Sequence, residues 1–86
     1  MSFAILVTES DDPDYKKHHL YATMSPISTE AVENNGDVFR MTIGTQVVKG
    51  FVYGDYSVSE IRKTMAITDD FRFEIKSDEN EWAVLT

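Results

Sequence analysis

Cysteine is absent from this 86-residue chain. No disulfide can staple the fold, and zinc sites built on thiolate are excluded. A reducing cytoplasm is the compartment that such usage suits. Proline occurs only at 13 and 26, and glycine only at 36, 44, 50 and 54. Punctuation this sparse and even marks one compact unit, residues 1–86, with no linker and no repeat. Long apolar runs are missing as well. The longest is Phe3–Val7, far short of the ~18 residues that a membrane helix needs. No basic region precedes it, so it does not read as a secretory signal.

Positive charge is scarce. Fifteen acids stand against eight bases, a formal charge of −7. Such a field repels nucleic acid and anionic membranes and attracts basic surfaces; it also serves plain solubility. Hydrophobic residues make up 42% of the chain, which is enough to fold one small core. A chain this short buries only roughly 60–65% of its unfolded surface.

Periodicity predicts the elements. Residues 3–8 are continuously apolar and read as a strand covered on both faces. Glu9–Asp14 is a loop. For 15–25 a helix capped by Asp12 competes with an alternation of Leu20, Ala22 and Met24; the strand is preferred. Thr29 to Asn34 suits a short helix, with Asn35 or Gly36 as a left-handed cap, better than a hairpin turning at Asn35-Gly36. Phe39, Met41 and Ile43 alternate with polar partners, Gly44-Thr45 turns the chain, and Val47–Tyr53 returns as an interior strand. Ser57 and Glu60 form a capping box, with Tyr56 and Ile61 as its staple; the helix is expected over about 58–67. Phe71, Phe73 and Ile75 alternate inward, and Trp82–Leu85 closes a last hairpin. The fold class implied is α+β. A mainly antiparallel sheet of four to six strands packs on one main helix near 58–67, with room for a second short helix within 13–35. The expected core is Phe39, Met41, Ile43, Val52, Ile61, Met65, Phe71, Phe73 and Ile75.

Catalytic patterns are lacking. His18-His19 is the one histidine pair, and adjacent positions diverge on a strand or a helix, so no metal is expected. Asp12-Pro13-Asp14 lacks the glycine and distal glutamate of a calcium loop. No serine lies in a nucleophile turn, and no phosphate or dinucleotide loop exists. Neither an enzyme nor a cofactor is expected.

One motif carries a resemblance. Lys49-Gly50-Phe51-Val52-Tyr53-Gly54-Asp55-Tyr56 resembles the longer signature of the RNA recognition motif family, in which a basic residue and a glycine precede two aromatics that stack on bases. It covers about eight residues. Glu60 stands where that family often has a helix acid. The resemblance implies a nucleic-acid-binding module using Lys49, Phe51 and Tyr53. The same residues also read as an aromatic-rich interior strand.

The acids fall into three groups: Glu9, Asp11, Asp12 and Asp14; Asp69 and Asp70; and Asp78, Glu79 and Glu81. A first strand parallel to the 71–76 strand would put the first and third groups on one edge of the sheet. Clustered carboxylates can occupy the phosphate track of a nucleic-acid-binding protein. Small acidic inhibitors of nucleases, restriction enzymes and CRISPR effectors work this way as a class, and so do immunity-type proteins. By that analogy the leading expectation is an interaction protein that binds a basic, nucleic-acid-handling partner or nuclease complex through these nine acids, without touching nucleic acid or membrane itself. A small accessory or structural subunit is the third possibility.

Overall fold

The apolar runs dictate the architecture. In the computed structural model, which describes residues 2–86, they build a six-stranded sheet flanked by two short helices. The strands are β1 (Phe3–Ser10), β2 (Leu20–Ala22), β3 (Asp37–Ile43), β4 (Gln46–Gly54), β5 (Phe71–Lys76) and β6 (Trp82–Leu85); the helices are α1 (Thr29–Asn35) and α2 (Val58–Thr64). The order across the sheet is β2-β1-β4-β3-β5-β6. Every neighbouring pair is antiparallel. The α+β expectation is met.

The sheet has two differently covered faces. On the inner face Phe3, Ile5 and Val7 of β1 meet Val48 and Val52 of β4, Phe39, Met41 and Ile43 of β3, and Phe73 of β5. Ile61, Met65 and Ile67 close over them. All of the expected core residues lie here; Phe71 and Ile75 are half-buried and pack against the rest. Phe39 and Phe73 stack at 5.4 Å between ring centroids. On the outer face a smaller cluster of Ala4, Leu6 and Val32 tucks α1 against β1 and β4. Thus β1 and β4 are covered on both sides, which is why both read as nearly continuous apolar runs. Among the described residues no helix covers the outer face of β3, β5 and β6, which is largely polar.

Four local expectations need correction. The segment 15–25 contains only a three-residue strand, and the helix that Asp12 and Pro13 could start does not form. Instead Asp12 closes a turn, its carboxylate accepting from the Asp14 amide at 2.9 Å and its carbonyl from Tyr15 at 3.1 Å. The cap of α1 is Gly36, but at φ −85, so it is not left-handed. Glycine is required there for closeness: a Cβ would meet the Val32 and Val52 carbonyl oxygens at 2.5 and 2.7 Å. In α2, Ser57 accepts from the Glu60 amide at 3.3 Å, while its hydroxyl donates to the Glu60 carboxylate at 3.1 Å; the return bond is between side chains. Finally, α2 stops at Thr64, short of 67. Ala66 adopts φ 53, its amide bonds to the Lys63 carbonyl, and the Ile67 amide bonds to the Arg62 carbonyl. This is a Schellman motif with alanine at the left-handed position, and Ile67 is pulled into the core beside Ile61.

Candidate protein-binding surface

Strand direction decides where the acids go. Alternating antiparallel neighbours make β1, β3 and β6 run one way and β2, β4 and β5 the other. β1 and β5 are therefore antiparallel, and the expected meeting of Glu9–Asp14 with Asp78, Glu79 and Glu81 does not occur. The end of β1 shares its side of the molecule with the start of β5, so Glu9, Asp11, Asp12 and Asp14 gather with Asp69 and Asp70. Asp78, Glu79 and Glu81 lie at the opposite end, in the β5–β6 turn.

The six-acid end is held by backbone. The Asp11 amide donates to the Val47 carbonyl at 3.0 Å, and the Gly44 amide to the Asp70 carbonyl at 2.8 Å. The β1–β2 loop, the β3–β4 turn and the α2–β5 connection are thereby stitched together. Between them runs an open concavity lined by Asp12, Asp14, Gly44, Gln46, Asp69 and Asp70. Tyr15 follows Asp14 in the chain and anchors the acidic loop to the core. It is buried, and its hydroxyl donates to the Met65 carbonyl at 3.0 Å, joining the acidic loop to the end of α2. Burial raises the Tyr15 pKa, and the neighbouring Asp12, Tyr21, Asp14 and Asp69 push it the same way. One phenol thus lies near carboxylates of both loops. Arg62 supports the second loop from below, donating to the Ile67 and Asp69 carbonyls at 3.2 and 3.3 Å.

Ion pairs are few at this end. Among the described residues the ion pairs are Arg40–Glu74, Lys49–Glu9 and Arg72–Glu74. Of the six acids only Glu9 takes part, at 4.0 Å and exposed to solvent. His18 and His19 are exposed, with His19 against the Tyr21 ring at 4.4 Å. Among the described residues no group of three or more His, Cys, Asp or Glu side chains is placed to hold a metal ion, and no helix is long and apolar enough to cross a membrane.

No family model, curated protein or solved structure matches this chain.

The residues of the alternative reading sit on β4. Lys49, Phe51 and Tyr53 all point to the outer face, but their access differs. Phe51 is half-buried against the Ala4–Leu6–Val32 cluster beneath α1. Tyr53 is 38% exposed, and Lys49 lies beside Glu9. Gly50 has a structural reason of its own: a Cβ there would run into the Leu6 carbonyl and the Phe39 ring. The sequence pattern had not disclosed the charge network on this face. Glu74, 6% exposed, is the one buried charged residue among those described. It accepts from Arg40 at both oxygens, at 3.2 and 2.9 Å, with Arg72 at 3.6 Å. The Arg40 guanidinium also lies 4.2 Å from the Trp82 ring centre. Alternation within β3, β5 and β6 taken singly gives no sign of which charges will meet.

Proposed function

We propose that this chain is a non-catalytic protein-binding domain that docks its acidic end on a basic, nucleic-acid-handling partner and obstructs that partner's nucleic-acid site. The observation that supports this reading is the gathering of Asp12 and Asp14 with Asp69 and Asp70 around one concavity, on backbone-tethered loops, their carboxylates in no ion pair among the described residues. Lys and Arg side chains that normally meet phosphate would meet carboxylates instead. Isolated negative charges held outside ion pairs are electrostatically costly to the fold, so a binding role is a sufficient reason to hold them together.

The test is to capture a partner from lysate and compare affinities of the wild type and of a D12N/D14N/D69N/D70N variant at two salt concentrations. A loss on the order of tenfold or more that shrinks as salt rises is expected. A D78N/E79Q/E81Q variant at the opposite end should bind as the wild type does. Equal affinity of all three proteins would refute the reading.

A second reading has its own observation. Arg40, Lys49, Arg72 and Lys76, half of the eight bases, project from the outer face with Tyr53 and Trp82, and such a surface can hold a single strand of nucleic acid. Fluorescence anisotropy with mixed oligonucleotides separates the two. Micromolar binding lost in Tyr53→Ala would favour this second reading.

A further inference from the structure

The β5–β6 turn sets the hydrogen-bond phase of the outermost strand. The Ser77 amide donates to the Glu81 carbonyl at 2.8 Å and the Asn80 amide to the Ser77 carbonyl at 3.0 Å, with Asn80 at φ 61. Ser77 and Glu81 are thus a hydrogen-bonded pair, and pairing alternates from there. Lys76↔Trp82 and Glu74↔Val84 become non-bonded pairs, and Ile75↔Ala83 a bonded one. The amides and carbonyls of Trp82 and Val84 therefore point away from β5, toward the edge of the sheet. Among the described residues no further strand pairs there. Nor does the indole shield this edge, because Trp82 leans back across β5 onto Arg40.

The side chains around this edge have a definite chemistry. Trp82 and Val84 share the outer face with Arg72, Glu74 and Lys76, and Val84 is 52% exposed. Two guanidiniums share the single Glu74 carboxylate, which leaves a surplus positive charge. Arg72, with its side chain 61% exposed, lies toward one end of β6, and the exposed Lys76 lies opposite Trp82 at the other. The β5 face thus offers two cations four positions apart with a neutralised centre between them.

We propose that β6 is a docking edge for an extended segment of a partner protein carrying two carboxylates four residues apart, with an apolar residue midway. Added as a seventh strand, such a segment takes its backbone hydrogen bonds from Trp82 and Val84. Its residues opposite them fall on the outer face. The apolar one covers Val84, and the two acids reach Lys76 and Arg72. The acidic loops at either end of the sheet disfavour additional carboxylates beyond these two, which limits the segment to a short one.

The probe is the peptide Thr-Glu-Thr-Val-Thr-Glu-Thr, titrated into the labelled protein at about 0.15 M salt, where screening acts over ~8 Å. Amide shifts should concentrate on Trp82 and Val84, with Ala83 little affected. The same composition ordered Glu-Thr-Thr-Val-Thr-Thr-Glu puts its acids on the opposite face and should bind on the order of tenfold more weakly. R72E/K76E should abolish binding. Val84→Pro removes an amide that points to solvent, not to β5, so it should abolish binding while the thermal midpoint is largely kept. Shifts centred on Lys49 and Tyr53, or equal binding of the two peptides, would overturn the proposal. So would a peptide-free dimer that protects the Trp82 and Val84 amides, because the edge would then belong to a second copy.

Discussion

Glu74 shows what a single residue can report. Its carboxyl is held below the usual glutamate range, first by the Arg40 hydrogen bond and then by the charges of Arg40 and Arg72, against an opposing push from burial. In the unfolded chain it is an ordinary glutamate near pKa ~4.3. A native value below the unfolded one means that the stabilisation is complete above that pH and is lost as pH falls through the native pKa. Glu74→Gln should therefore cost about 1.5–3 kcal/mol at neutral pH through loss of charge-assisted bonds. The gap between variant and wild type should close as pH falls from neutrality through the native pKa, as the wild-type carboxyl takes up its proton. Urea melts across that range are the check, and two parallel stability curves would show that the pair contributes nothing. From sequence Glu74 is only one polar step in an alternating strand. Its burial depends on Arg40, thirty-four residues away, and no local pattern encodes that distance.

At the scale of the element, α2 is the instructive case. Its start was legible because the signals are local: Ser57, Glu60 and the flanking Tyr56 lie within one turn of each other. Tyr56, expected on Ile61, packs edge-on against Phe3 and Phe73, at 6.5 and 6.0 Å. Its end was not legible, because the left-handed cap position holds alanine where glycine is the usual signal. The chain turns there all the same, since Ile67 gains burial in the core by doing so. Relieving the strain is a direct test. Ala66→Gly should raise stability by about 0.5–1 kcal/mol, the left-handed penalty less the added unfolded-state entropy. Ser57→Ala at the other end should lower it by about 1 kcal/mol. If Ala66→Gly destabilised the protein in chemical denaturation, the turn would owe its shape to something other than this cap. In the segment 15–25 the preferred strand is present but shortened. Its alternation is real, and Leu20 and Met24 do pack on the outer cluster, but only Leu20–Ala22 reach β1 in register.

For the molecule as a whole, charge and topology act together. The formal charge is −7, and six acids gather at one end, of which only Glu9 is in an ion pair among the described residues. Their mutual repulsion acts on the folded state, because unfolding lets the loops separate. Raising salt from about 0.05 to about 0.5 M should therefore stabilise the wild type more than it stabilises D12N/D14N/D69N/D70N. At low salt the variant should be the more stable of the two. Thermal midpoints at the two salt concentrations check this, and identical salt responses would mean that the acids are too far apart to interact. The same four substitutions are expected to weaken partner binding, so stability and binding should move in opposite directions, as at a site retained for use over stability.

The sequence by itself determined most of the strands and helices outside 15–35, the inward faces of β3 and β5, and the class of fold, because side-chain alternation and capping act over a few residues. It also determined that the chain is acidic and that its acids come in three groups. Only the tertiary structure decided which groups meet. That choice depends on strand order and direction, set by which apolar faces pack best over the whole sheet. Inserting β4 and β3 between β1 and β5 makes those two strands antiparallel, which brings Asp69 and Asp70 to Asp12 and Asp14 and sends Asp78, Glu79 and Glu81 to the far end.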